Sequence, residues 1–266
     1  MINPFFATSL LPLFKQINIK LHAFEAMQIS IDNQNKDLDN FLKNLNNQDE
    51  NIDITFNDIF EKLDIIQQPL SKTYGIISHL SSVDDSQDIR EIKDKFRPEL
   101  IDLGKKISQS KIIYDSIDKI NTENKLEKRV IDLTLKSMKQ GGVNLEDDIK
   151  EKLKDIDKSL SDLSSKFSEN LLDATKSYKM EVSDISLMKN VPLWAKEMWC
   201  QENPENGPWI ITLGGPSIIA SLKFIEDVET RKQLYMKYVS RAGNENEEII
   251  KSIMKLRQEK SKLLGF

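Results

Sequence analysis

Two histidines, one cysteine, three tryptophans and a pair of adjacent glycines are the residues of this 266-residue chain that most invite chemistry. A catalytic zinc ion needs histidine rings placed so that two of their nitrogens reach one metal. The compact local solution is H-E-x-x-H, in which one helical turn separates the histidines and the adjacent glutamate polarises a water. His22 and His79 lie far apart and are followed by Ala23 and Leu80, not by glutamate. Folding cannot hide a motif that is local in sequence. No catalytic residue and no metal ligand is therefore assigned, and the lining of any substrate channel stays unknown.

The other candidates read mainly as architecture. His22 suits a capping or packing role. Cys200 as a nucleophile would need a positioned histidine, and its tryptophan-rich flanks point to packing. Trp194, Trp199 and Trp209 could stack on a ligand, but aromatics in an irregular segment more often fill gaps. Gly214-Gly215 lacks the lysine of a phosphate loop and reads as a turn. Asp84-Asp85 and Asp147-Asp148 read as cap and solvent-face charges, with no basis for an acid/base dyad.

The elements that must position these residues are mostly helices. Helix breakers are sparse, with no glycine before Gly75 and no proline between Pro98 and Pro192. Ile52, Phe56, Ile59, Leu63, Ile66, Leu70, Tyr74 and Ile77 recur at helical spacing, with a kink or break expected at Pro69 and Gly75. Ile89, Ile92, Phe96, Leu100, Leu103 and Ile107 form a second stripe, interrupted by Pro98. Leu126, Val130, Leu133 and Met138 form a third, ended by Gly141-Gly142.

A continuous helix, among the longest of the chain, is expected from about Glu146 to Lys179. Its stripe is Ile149, Leu153, Ile156, Leu160, Leu163, Phe167, Leu171 and Ala174, with Asn144 and Asp147 as a weak capping pair. Residues 33–51, rich in Asn, read as exposed helix and loop, and 190–208 as a loop with one short helical turn. WIITL at 209–213 is the best strand candidate. Asp227 caps a helix to about Ala242, terminated by Gly243, and a last helix runs from about Asn246 to Leu264. The fold class is all-α with at most a small strand pair.

Composition narrows the function. The net charge is -5, which argues against a nucleic-acid partner. A single cysteine excludes an intrachain disulfide and fits a reducing compartment. The apolar N-terminus, INPFFATSLLPLF, lacks a basic leader and reads as a packing arm. No apolar run approaches a membrane span, and the expected location is the cytoplasm.

Several segments resemble the oligopeptidase A / thimet oligopeptidase family of zinc metallopeptidases. They are the strand-like step Thr212, Leu213, Pro216, Ser217; the helix pattern Arg231, Leu234, Tyr235, Tyr238, Arg241, Ala242; and the ending Leu256, Arg257, Glu259, Ser261, Leu263, Leu264, Gly265, Phe266. PLSKTYGIISHLSSVDDSQDIREIKDKF at 70–97 and FSENLLDAT at 167–175 also resemble it. Gly214, where the family usually has an acidic residue, and Ala220, where it often has a proline, are departures.

The resemblance implies a multi-helix scaffold, the N-terminal portion of a two-lobed helical clam whose channel admits short peptides. Residues 1–185 would be the N-terminal helical region. Residues 186–266 would be a linker, short strand and helices leading toward a catalytic region that this chain lacks. Zinc belongs to the full-length family, with no cofactor expected in this chain. His79 is then either a hydrogen-bonding residue facing the channel or a helix-end residue satisfied locally, and the sequence favours the latter. The implied partners are short peptides in the full-length enzyme and a separate C-terminal catalytic half, with no nucleic acid and no membrane. The expectation is an N-terminal fragment, inactive alone, that exposes apolar surface near its C-terminal stripe of Ile250, Ile253, Leu256 and Leu263-Leu264. The alternative is a non-catalytic helical module that binds peptides or a protein.

Overall fold

The computed structural model describes residues 3–7, 9, 11–47 and 53–266. Helices dominate: α1 (Ile19–Asn46), α2 (Phe56–Val83), α3 (Gln87–Ser108), α4 (Lys111–Asp118), α5 (Lys125–Gln140) and α6 (Asp147–Ser177) come first. Strand β1 (Lys179–Val182), α7 (Leu193–Trp199), β2 (Trp209–Thr212), α8 (Gly215–Phe224), α9 (Val228–Val239) and α10 (Gly243–Leu263) follow. β1 and β2 pair antiparallel, Lys179 opposite Thr212 and Val182 opposite Trp209. Among the described residues this is an all-α protein with one two-stranded sheet.

The chain forms two compact units, Met1–Lys158 with Lys260–Phe266, and Ser159–Glu259. The 185/186 division expected from sequence falls at the start of a 3-10 turn, Ile185–Met188, within the second unit.

In the first unit, one apolar cluster gathers Phe5, Met27, Ile31, Ile77 and Phe96, and another gathers Leu38, Phe41, Ile59, Ile113 and Ile131. Phe5 comes from the N-terminal arm, which Lys72 also holds through the Ala7 carbonyl at 2.6 Å. Met1, Ile2, Thr8 and Leu10 of that arm, residues 48–51 of the Asn-rich stretch and Ile52 of the first stripe lie outside the described residues.

The Asn-rich stretch hides a core face. Gln34, Leu38 and Phe41 of α1 are buried at helical spacing. α2 does not break at Pro69 or Gly75 and runs through both. The carbonyl that Pro69 leaves without its helix donor is that of Ile65, an exposed position where water can serve. α3 likewise continues through Pro98.

α5 ends where the two glycines lie. Gly142 has φ +90°, and a Cβ there would come within 2.9 Å of Leu145 Cδ1 and 3.0 Å of Leu153 Cδ1. The expected stripe on α5 needs correction. Met138 is buried, but with Ile131, while Leu126, Val130 and Leu133 are exposed. The inner face lies about half a turn away from the one that the larger side chains suggest.

Three further expectations are corrected. α6 starts at Asp147 without an Asn144–Asp147 capping pair. The Glu146 carbonyl accepts from the Ile149 and Lys150 amides, and Asp147 pairs with Lys150. α9 stops at Val239, and Gly243 opens α10 instead of ending α9. The left-handed residue between them is Ala242, φ 50°, whose small side chain fits a buried corner.

The second unit packs around Met188, Trp199, Trp209, Ile211, Ile218 and Leu234. Strand β1 was not anticipated from sequence. Its four residues follow α6 after a single residue, too short a run for its alternation to stand out.

Candidate functional site

The sequence candidates for chemistry are dispersed. His22 lies in the first turn of α1, where its Nδ1 accepts from the Asn18 amide at 3.0 Å. It thereby satisfies a donor at the helix start, beside the Asn18 side chain that accepts from the Leu21 amide. His79 is exposed near the end of α2, its ring 5.5 Å from that of Phe14. Cys200 follows α7 and packs against the second unit's core. Asp84 caps α2 at its C-terminus, and Asp85 binds the Arg90 guanidinium at 2.7 and 2.9 Å. Asp148 faces Lys152 across one helical turn.

The tryptophans split. Trp209 is fully buried, and its indole donates to the Pro204 carbonyl at 2.9 Å. Trp199 is buried and donates to Ser217 Oγ at 2.9 Å, the same oxygen that accepts from the Thr212 amide at 3.0 Å. Ser217 thus ties the end of β2 to α7. Gly214 caps α8, and Gly215 and Pro216 open it, so the glycine pair is the turn that brings Ser217 to this position. Trp194 is exposed and sits edge-on to Phe224 at 5.9 Å.

Two distant segments meet in the second unit. On α6, Phe167 and Asn170 face Asn246 of α10. Asn246 donates to the Phe167 carbonyl at 3.2 Å and accepts from Asn170 at 3.0 Å. Thr175 accepts from Arg241 Nη1 at 2.9 Å. The Arg241 guanidinium lies 3.7 Å from the Tyr238 ring centroid, and its Nε donates to the Tyr238 carbonyl. Arg231 donates to the Ile225 carbonyl, and Leu234 is buried. Arg241 therefore joins the R-x-x-L-Y-x-x-Y-x-x-R-A pattern to FSENLLDAT, and Asn246, just beyond the pattern, adds two more bonds to the same segment. Tyr235 of that pattern is exposed.

The first unit has its own polar clamp. Asp157 of α6 forms ion pairs with Lys105 of α3 and Lys260 of α10. Burial pulls its carboxyl upward, but the hydrogen bonds and charges of the two lysines outweigh this and hold it below the ordinary carboxylate value. Sequence reasoning missed this triad and Asn246, because each joins residues far apart along the chain. Their one local signal is a polar residue on an otherwise apolar face.

Among the described residues, no three His, Cys, Asp or Glu side chains converge as metal ligands. His22 uses Nδ1 within its own helix turn and His79 lies against Phe14. These donors do not fit a zinc ion.

An all-α fold with one two-stranded antiparallel sheet is the class that these elements define. Residues 34–150 match the N-terminal domain of the Neurolysin/Thimet oligopeptidase family. The chain is 33% identical to a probable cytosolic oligopeptidase A of Arabidopsis thaliana, over 78% of this chain and 32% of that protein. It is 26% identical to oligopeptidase A of Salmonella typhimurium, over 74% and 31%, and 25% identical to that of Haemophilus influenzae, over 100% and 40%. The chain belongs to the oligopeptidase A / thimet oligopeptidase family, and it spans about a third of the length of the curated relatives it matches.

Proposed function

We propose that this chain supplies the N-terminal scaffold of an oligopeptidase A-like zinc metalloendopeptidase, which hydrolyses internal bonds of short peptides. By itself it is inactive. Residues 1–185 build the outer helical region, and residues 186–266 lead toward the region that holds zinc. Its partners are short peptides and a C-terminal catalytic half, and its location is the cytoplasm. One observation carries the reading: the residues shared with the family, Ser217, Asn170, Thr175 and Arg241, are engaged in joining elements. That is what a scaffold requires. No helix of the described residues is long and apolar enough to cross a membrane, which is compatible with the location proposed.

Of the expected C-terminal stripe Ile250 is exposed and Ile253 and Leu256 are half-buried; Ile250 with the exposed Met254 on α10 supplies apolar surface for the catalytic half. The test is to mix the chain with the separately produced C-terminal half of an oligopeptidase A. Light scattering after size exclusion should show a one-to-one complex, and the mixture should cleave a quenched fluorescent peptide in a chelator-sensitive way. No complex and no gain of activity over either half would overturn the scaffold reading. The alternative, a non-catalytic helical binding module, would then be preferred.

A further inference from the structure

α5 carries two apolar faces, and the fold uses one. Ile131 and Met138 are buried, with Leu135 packed against the same cluster. Leu126, Val130 and Leu133 stand at i, i+4 and i+7 on the opposite side, 77%, 40% and 50% exposed. Val130 and Leu133 border a cavity of about 550 Å³ that Phe60, Leu63 and Ile113 also line. An exposed stripe beside an apolar groove is a surface that a monomer does not need for its own core.

Charge says what kind of occupant fits. Along one edge of the stripe Lys125, Arg129 and Lys136 are exposed at helical spacing. Among the described residues none of the three is in an ion pair. Asp132 is the acidic residue on that edge and Asp64 borders the groove, so three cations face two carboxylates. The chain as a whole is acidic, at -5, so this basic edge runs against the overall charge. A groove that can receive individual side chains favours a protein helix over the flat surface of a bilayer.

The geometry points to α5 and its groove as the docking site for one amphipathic helix of a partner protein, with an apolar face and acidic residues beside it. Leu126 to Ser137 span about 16 Å, or three helical turns. Apolar side chains of the partner at i, i+4 and i+7 enter beside Val130 and Leu133, and its carboxylates meet Lys125, Arg129 and Lys136. This role is separate from peptide hydrolysis.

The test uses the full chain and two synthetic 18-residue helical peptides. Both carry leucines at i, i+4 and i+7, and they differ in having glutamates or lysines beside that stripe. Fluorescence anisotropy should show saturable binding of the acidic peptide and none of the basic one. Leu133→Glu should weaken binding by about tenfold and Arg129→Glu by about threefold, with unchanged thermal melts, since both positions are exposed. Raising salt from about 0.05 to about 0.5 M should weaken the wild-type complex.

Four results on peptide binding and self-association would overturn the proposal. They are no saturable binding, equal binding of the two peptides, binding unaffected by Leu133→Glu, and a wild-type dimer that Leu133→Glu dissociates. The last would assign the face to a second copy. Co-sedimentation with phosphatidylcholine/phosphatidylserine vesicles, lost in Arg129→Glu, would assign it to a membrane and equally overturn the proposal.

Discussion

α2 and α6 carry the same kind of apolar stripe at the same helical spacing, yet they are held in place differently. α2 lies against α1 and α3 and buries Ile59, Leu63, Leu70, Ile76 and Ile77. In α6, Leu153 is the buried residue, while Leu160, Leu163, Phe167 and Leu171 are half-buried. What holds α6 is polar: Asp157 to Lys105 and Lys260, Asn170 to Asn246, and Thr175 to Arg241. Periodicity tells which face of a helix is apolar. It does not tell how completely that face is covered, because coverage depends on partners that approach from elsewhere in the chain.

The sharpest way to break this comparison is to remove apolar volume from each helix. Ile77→Ala in α2 should cost about 4 kcal/mol, since a fully buried side chain leaves a cavity. Leu163→Pro in α6 should cost about 3 kcal/mol or more, because proline removes a helix hydrogen bond and clashes with the preceding turn. Leu163→Ala at the same half-buried position should cost about 1 kcal/mol. Urea unfolding followed by circular dichroism reads all three. If Leu163→Ala cost as much as Ile77→Ala, α6 would be a core helix like α2.

The smallest effect concerns the polar clamp. Asp157 has a folded-state pKa below its ordinary 3.8. The stability it contributes is therefore fully present above that value and is lost as the pH falls through the lower, folded-state value. Wild type should exceed Asp157→Asn by about 1 kcal/mol near pH 7, the scale of a partly screened charged hydrogen bond. Unfolding curves of the two proteins should converge in strong acid. A constant difference down to about pH 2 would mean that the carboxylate charge is not what holds the clamp.

Much of the fold was legible because helix signals are local. The stripe of α2, the Asp227 cap of α9, the strand at Trp209 and the glycine end of α5 all rest on neighbours within a few residues. The readings that failed involved distance. No break occurs at Pro69, whose carbonyl partner belongs to the exposed Ile65, and the outward Leu126–Val130–Leu133 stripe looked like core because nothing local distinguishes two apolar faces of one helix. Asn246 and Asp157 acquire their roles from residues many turns away. The missing zinc motif was legible for the same reason as the helices, because H-E-x-x-H is a one-turn pattern. His22 is explained by the Asn18 amide four residues away, but its role at the helix start needed the structure to show it.

The central claim is that this chain is scaffold and does not itself perform the chemistry. The most direct measurement is zinc content after dialysis of the purified 266-residue chain, with a quenched fluorescent peptide assay on the same sample. The account predicts zinc far below one equivalent and no cleavage above buffer, since a catalytic site needs about three protein ligands at fixed geometry. Stoichiometric zinc with chelator-sensitive turnover would contradict it.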